Sequence, residues 1–178
     1  MPPQPTRSSS MPEQLIRHGH LEADPWQRVD PAADAASSTL PDGPILLPAS
    51  FWLAHRDTLR QRVGTIGVSL APTFRVEDLV PDLRLLPLIA VEFPKFTDGR
   101  GYSTARLLRE RYNYSGELRA VGDIGRDQLF FLRRAGFDAF LIPESRDAND
   151  ALLGLADYPG AYQAAVGQRL PHFRRRFG

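Results

Sequence analysis

The sequence predicts an α/β fold in which parallel βα repeats form either an open doubly wound sheet or a partial barrel. From residue 43 onward, short apolar runs alternate with stretches of helical periodicity, a pattern typical of βαβ units with a buried sheet. About five such strands are visible, which is too few for a complete eight-stranded barrel. Either arrangement places ligands at the carboxyl ends of the strands.

Three parts are distinguished along the chain of 178 residues. Residues 1–42 are predicted to be a disordered or weakly ordered N-terminal arm and linker, because Pro, Ser and Ala are abundant there. Within this arm, residues 15–21 carry apolar ends around a glycine, which predicts a short hairpin or an edge strand. Residues 43–170 are expected to form a single α/β domain, and residues 171–178 a basic C-terminal tail.

The individual elements follow from apolar runs and helical spacing. Strands are predicted at residues 44–48, 65–70, 85–93, 117–121 and 137–142. Helices are predicted at residues 50–63, 103–112, 126–135, 147–158 and 161–168, and an acidic helix start at 76–79. Ser50 is the expected N-cap of the first helix, and Gly136 is the expected stop after the third.

Composition excludes several classes of function. The absence of cysteine from the sequence rules out disulfides, thiolate nucleophiles, Cys-ligated metals and iron–sulfur clusters. No metal site is predicted, and no strong motif indicates a cofactor. The net charge of +1 gives no global attraction to nucleic acid. No apolar run approaches the roughly 18 residues of a membrane span, and no apolar signal segment is visible, so a cytoplasmic protein is expected.

The densest cluster of charged and reactive side chains is the loop 95–103, which follows the apolar run 85–93. Its Lys95 is the sole lysine among 22 basic residues, and a compact ammonium binds differently from a guanidinium. Glycines expose backbone N–H groups and helix starts attract anions, so a small anion or a nucleotide phosphate is the predicted ligand. The predicted anion-binding residues are Lys95, Thr97, Gly99, Arg100, Gly101, Ser103, Arg106 and Arg109. Asp98 and Tyr102 are the candidates for proton transfer.

The next strand end repeats this pattern. Asp123, Arg126 and Asp127 stand at the mouth of the following helix, which in a parallel sheet can lie beside the first loop. Residues 99–104 also read G-x-G-x-x-T, so a nicotinamide or flavin nucleotide is an alternative ligand, with Asp123 on its ribose. The plainer alternative is a tight turn within the loop, followed by a solvated arginine face.

The loop and its flanks resemble a known bacterial family. The matching runs are Lys95-Phe96-Thr97-Asp98-Gly99-Arg100-Gly101-Tyr102-Ser103, Ala105-Arg106-Leu107-Leu108-Arg109, Gly116-Glu117-Leu118-Arg119-Ala120-Val121-Gly122-Asp123, Asp127-Gln128 and Arg133-Arg134-Ala135-Gly136-Phe137-Asp138. They are similar to those of a family of unknown function that carries the label of an oxidoreductase of sulfite reduction. Its members are typically encoded beside assimilatory sulfite reductase. The likeness covers about residues 44–165.

The resemblance implies a pathway but no particular reaction, and it transfers no catalytic residue. It implies an accessory protein or small enzyme of assimilatory sulfate or sulfite reduction that binds an anionic ligand at residues 95–103. A non-catalytic interaction partner of sulfite reductase and a nicotinamide- or flavin-dependent oxidoreductase are the alternatives. Without cysteine, the chain cannot be the iron–sulfur subunit of sulfite reductase.

Overall fold

The computed structural model describes residues 13–31 and 40–155. Several sequence predictions fall outside these residues. They are the start of the N-terminal arm, most of the linker, the helix at 161–168 and the basic tail at 171–178.

One mixed sheet organises the described part of the chain. Its eight strands are β1 (Gln14–Arg17), β2 (His20–Glu22), β3 (Gln27–Arg28), β4 (Ile45–Pro48), β5 (Ile66–Leu70), β6 (Leu88–Phe93), β7 (Glu117–Gly122) and β8 (Ala139–Ile142). They lie in the order β2-β1-β8-β7-β6-β5-β4-β3, with β3 to β8 parallel and β1 antiparallel to both of its neighbours. The sheet curls into a half-barrel. A doubly wound sheet has a point at which its strand order reverses, and the order from β4 to β8 has none. The partial-barrel alternative is therefore confirmed.

The helices connect successive parallel strands. They are α1 (Ala49–Leu59), a 3-10 helix (Val76–Leu85), α2 (Arg100–Arg106) with a π-helical continuation (Leu107–Arg111), α3 (Arg126–Ala135) and α4 (Ala148–Gly154). α3 has the predicted bounds and ends at Gly136, whose φ of 112° lies in the left-handed region. The N-cap of α1 lies two residues earlier than predicted: Pro48 ends β4 and is also the N-cap, in place of Ser50.

The main hydrophobic core lies between the sheet and the helices. Alternate residues of each strand face it, for example Ile89 and Val91 of β6, because side chains on a strand alternate between its two faces. The helices contribute Trp52, Leu129 and Leu132 to the same cluster. Each fully buried aliphatic side chain of this kind stabilises the fold by about 1.5–3 kcal/mol.

The concave face of the sheet has a separate, smaller cluster. Leu46, Leu88, Ala90 and Val121 are buried there, and Trp26 packs against them. Trp26 belongs to the strap, Ala23–Trp26, which connects β2 to β3. The hairpin predicted at residues 15–21 is confirmed as β1 and β2, and it belongs to the sheet together with β3, within the range assigned to an arm and linker. The sequence missed β3, because a strand of two residues leaves no alternating pattern.

The strap explains why the sheet is curled. β2 and β3 are the two outer edges of the eight-stranded sheet. In a flat sheet these edges would lie about 33 Å apart, since neighbouring strands are about 4.8 Å apart. The four strap residues reach at most about 18 Å when fully extended. The chain therefore holds the two edges close together.

Charged side chains line the concave face under the strap. The Arg119 side chain is fully buried, and its Nη1 donates to Asp24 Oδ2 at 2.8 Å. Its Nε and Nη2 both donate to Glu117 Oε1, at 3.0 and 2.8 Å. The other oxygen of Glu117 accepts from Arg17 at 3.2 Å. A buried guanidinium needs such partners, because burying an unpaired charge is very costly.

A second buried carboxylate joins the 3-10 helix to α1. Asp82 is fully buried and accepts hydrogen bonds from Trp52 Nε1 at 3.1 Å, from Arg56 at 3.3 Å and from Arg60. Burial alone raises the pKa of the Asp82 carboxyl, but the bonds from Trp52 and the two guanidinium groups outweigh it. The pKa consequently lies below its usual value, and the carboxylate stays ionised at neutral pH.

Replacing Asp82 with Asn is expected to lower the free energy of unfolding by about 3 kcal/mol near neutral pH, because it breaks a buried charge cluster. The folded-state pKa is depressed, so the ionised carboxylate stabilises the fold above the unfolded-state pKa of about 3.9. This contribution is lost as the pH falls through the folded-state pKa. In denaturant titrations at decreasing pH, the free energies of unfolding of the parent protein and of the Asp82→Asn protein should therefore converge.

Asp57→Asn is the matched control, since the Asp57 side chain is 95% exposed and lies 3.9 Å from Arg60. Its effect should stay within about 0.5 kcal/mol. Equal stabilities of the Asp82→Asn and Asp57→Asn proteins would contradict the role assigned to Asp82.

Candidate functional site

Three loops meet at the carboxyl ends of β6, β7 and β8. The Asp123 backbone N–H, after β7, donates to the Phe93 carbonyl at the end of β6 at 2.7 Å. The Asp123 carboxylate accepts from the Phe96 backbone N–H at 3.0 Å and from Arg146 Nη2, after β8, at 2.7 Å. Asp123 therefore joins all three loops. The predicted proximity of the first two loops is what the structure shows.

Arg146 is a residue that sequence reasoning missed. Its guanidinium lies over the Phe96 ring, 6.0 Å from the ring centroid, and its hydrogen bond to Asp123 is the main reason that the pKa of this carboxyl is lowered. The sequence contained one usable signal, because Arg146 follows β8 much as Lys95 follows β6. We call Lys95, Phe96, Arg100, Asp123 and Arg146 the carboxyl-edge platform.

The Asp98 carboxylate forms an ion pair with Arg100. The Arg100 guanidinium donates from Nε at 3.0 Å and from Nη2 at 2.6 Å, and the Arg100 backbone N–H donates at 3.1 Å. These bonds lower the pKa of Asp98 to about 2. They also explain why α2 begins at Arg100 and not at Ser103, since Asp98 satisfies the first N–H of the helix. A carboxylate with so low a pKa is a weak general base at neutral pH.

Tyr102, the other candidate for proton transfer, is half-buried. Its ring packs edge-on against Phe93, with centroids 5.7 Å apart. Burial raises the pKa of the Tyr102 phenol, and a hydrogen bond with Gln128 only partly offsets this. Gln128 also donates to the Phe96 carbonyl at 2.9 Å and accepts from the Gly125 N–H at 3.1 Å. Tyr102 is thus part of the framework that fixes the platform, as a neutral phenol.

Six of the predicted anion-binding residues are exposed at or near the loop. They are Lys95, Thr97, Gly99, Arg100, Ser103 and Arg106. Within the described residues, the Lys95 ammonium makes no ion pair, which distinguishes it from the neighbouring Arg100. A Cβ atom at Gly99 would meet open space, so Gly99 leaves the backbone accessible.

Gly101 has a packing role that the sequence did not reveal. It is buried, and a Cβ atom there would come within 2.7 Å of Phe93 Cε1. The missing side chain lets α2 lie directly on the ring at the end of β6. The prediction that Gly101 exposes its backbone to a ligand is therefore replaced by close helix–strand packing.

Arg109 lies at the opposite end of the sheet from the loop. Its Nε donates to the Gly136 carbonyl at 3.0 Å, its Nη1 to the Gly116 carbonyl at 2.9 Å, and its Nη2 to Asp138. Because α2 and its π-helical continuation run back along the sheet, a residue at their end reaches the amino ends of β7 and β8. The structure does not bring Arg109 to the predicted anion site.

The three residues predicted for the second loop also have different roles. Asp123 joins the platform, whereas Arg126 pairs with Asp150 of α4 at 2.6 Å. Asp127 is exposed in the first turn of α3, where an acidic side chain complements the helix dipole.

Two kinds of feature are absent from the described residues. Residues 13–31 and 40–155 contain no group of three His, Cys, Asp or Glu side chains that could hold a metal ion. Among the helices of the same ranges, none is long and apolar enough to cross a membrane.

Comparison with known proteins gave one family match. The family is described as "Bacterial protein of unknown function (DUF934)", and it matches residues 67–173, more than half of the chain. The match begins in β5, so the strap lies before it. No curated protein matches the chain.

Gly101→Ala is expected to lower the free energy of unfolding by about 1–3 kcal/mol, because the added methyl group overpacks the Phe93 ring. Gly99→Ala is the matched control. Its effect should stay within about 0.5 kcal/mol, since a less flexible unfolded chain offsets a poorer helix cap. Denaturant unfolding of both variants measures the difference. Equal effects would contradict the packing role of Gly101.

Proposed function

The chain belongs to the family of bacterial proteins of unknown function DUF934, and we propose that it is an accessory protein of assimilatory sulfate or sulfite reduction. In this proposal it binds an anionic ligand at the carboxyl-edge platform. The pathway rests on the resemblance of the loop 95–103 and its flanks. The class of ligand rests on the charges and contacts of the platform. An accessory role is preferred to a small enzyme because Asp98 and Tyr102 are both held in unfavourable states for proton transfer.

The proposal rests on the partners of three cationic side chains, Lys95, Arg100 and Arg146. Arg100 and Arg146 are each oriented by a carboxylate, through Asp98 and Asp123. In both guanidinium groups, Nη1 donates no hydrogen bond to a described residue, so donors remain for a ligand. Lys95 adds a positive charge that no described carboxylate neutralises. Orienting the cations before binding lowers the entropy cost of binding an anion.

Phe96 favours a nucleotide over a bare oxyanion. Phe96 is 42% exposed, it follows Lys95 in the chain, and its ring lies under the guanidinium of Arg146. An exposed aromatic ring can stack on a base, while neighbouring cations bind phosphate or sulfate groups. Adenylyl sulfate combines these features, and inorganic sulfate and sulfite carry only the anionic part.

The nicotinamide or flavin alternative loses its main support. Its fingerprint assigned Gly101 to close approach of a pyrophosphate and Asp123 to a ribose. Gly101 packs on Phe93, and Asp123 is occupied by Phe96 and Arg146. Both residues therefore have structural roles that account for them.

A second candidate function is a non-catalytic interaction with sulfite reductase. The exposed Phe96 under the Arg146 guanidinium favours it, because exposed aromatic and arginine side chains are common anchors of protein interfaces. An acidic surface of the partner would then replace the free anion.

The anion-binding proposal is tested by thermal unfolding with sulfate, sulfite and adenylyl sulfate, each against chloride at equal ionic strength. We expect at least one of them to raise the melting temperature by mass action. Lys95→Ala should weaken binding by about tenfold, because it removes a charge-assisted contact. Arg84→Ala is the control, since Arg84 is an exposed arginine of the 3-10 helix. An equal response of the Lys95→Ala and Arg84→Ala proteins would contradict the site.

The interaction alternative is tested by co-purification with sulfite reductase at low salt. Phe96→Ala should abolish an interaction that uses the platform, and exposed Leu153→Ala should leave it intact. Retention of the partner by the Phe96→Ala protein would exclude the platform as the interface. Binding that survives high salt equally well would contradict an electrostatic contact.

A further inference from the structure

A cleft of about 560 Å³ opens on the concave side of the half-barrel, at the carboxyl ends of β3 to β6. We call it the concave cleft. Its charged lining residues are Arg28, Asp30, Arg75, Asp78 and Glu92, and Ser50 and Ser69 also line it. The volume lies within the range of small-molecule sites, and this rim is where barrels and open α/β sheets bind their ligands. None of these residues belongs to the carboxyl-edge platform.

Ser69 is the unusual residue of this lining. It is paired in register with Pro48 on one side and Ala90 on the other, which places it on the concave face, and it is only 6% exposed. No described group forms a hydrogen bond with its hydroxyl. The other buried polar side chains of the described residues, Asp82, Arg119 and Gln128, all have partners. No side-chain polar atom of the described residues that is buried from solvent lacks a partner, so the Ser69 Oγ is open to the cleft, where a bound molecule can complete its hydrogen bonding.

An ion pair spans the cleft beside Ser69. Arg28 Nη2 of β3 donates to Glu92 Oε1 of β6 at 2.8 Å, across the two strands between them. Both side chains line the cleft, with 63% and 26% of their surface exposed. An ion pair that is open to a cleft presents one site for an anionic group and one for a cationic group.

The loop after β5 adds a second pair of opposite charges. Arg75 and Asp78 lie at the start of the 3-10 helix, and both side chains are exposed on the cleft. Neither makes an ion pair with a described residue. The cleft thus has guanidinium groups that repel a simple cation and carboxylates that repel a simple anion.

We propose that the concave cleft binds a small zwitterion of the α-amino acid class. Arg28 and Arg75 recognise the carboxylate, Glu92 and Asp78 recognise the ammonium, and Ser69 completes its hydrogen bonding with the bound molecule. The proposal depends on the charges and the register of β3 to β6, so it does not require that the carboxyl-edge platform binds an anion.

The test is a titration of the isotope-labelled protein, monitored by backbone amide chemical shifts. The probes are the standard L-α-amino acids, together with propionate and propylamine, which each carry one charge. At least one amino acid should shift the amide signals of Ser50 and Ser69. The affinity of the single-charge probes should be lower by about tenfold or more. Propionate binding as tightly as every amino acid would overturn the zwitterion, and no shift with any probe would overturn the site.

Two variants sharpen the result. Ser69→Ala should weaken amino acid binding by about tenfold without unfolding the protein, because its hydroxyl has no partner to lose. Ser115→Ala, an exposed serine before β7 outside the cleft, is the matched control and should bind like the parent protein. Glu92→Gln should lower the affinity for the amino acid while raising that for propionate. Unchanged binding by both the Ser69→Ala and Glu92→Gln proteins would overturn the proposal, whatever the outcome for Lys95→Ala at the platform.

Discussion

The strap of four residues between β2 and β3 is the constraint on which the rest of the structure depends. It joins the two outer edges of one sheet, and an extended chain of that length cannot span a flat sheet of eight strands. The sheet must curl, and its concave face becomes too narrow for a helical layer. Trp26 and the Arg119–Asp24 ion pair fill that space instead. The helices are consequently packed in one core on the convex side.

Curling also determines where binding surfaces can form. The carboxyl ends of β3 to β8 follow one another around a single rim, so loops that are distant in sequence become neighbours. The carboxyl-edge platform occupies the part of this rim at β6 to β8, and the concave cleft occupies the part at β3 to β6. Carboxylates pair with many of the rim arginines, whereas Lys95 has no such partner among the described residues. The single lysine of the sequence is therefore chemically distinct in the structure as well.

Local patterns predicted β4 to β8 and α3 well, because buried strands and amphipathic helices leave continuous apolar signals. They also located the loop 95–103 at a strand end. They could not separate arginines that hold the fold from arginines available to a ligand. Arg100 begins α2 and Arg109 lies in its π-helical continuation, yet Arg109 reaches the amino ends of the strands. Long-range partners decided such cases, as for Gly101 against Phe93, and a single sequence does not contain them.

The most direct test of this account is a double-mutant cycle on Asp24 and Arg119, using Asp24→Asn, Arg119→Met and the double variant. The free energy of unfolding of the four proteins gives the coupling energy of the pair. If the strap closes the half-barrel through this buried contact, the coupling should be about 1–3 kcal/mol. A coupling within about 0.3 kcal/mol of zero would mean that the strap is not held across the concave face, and would contradict the arrangement of the whole rim.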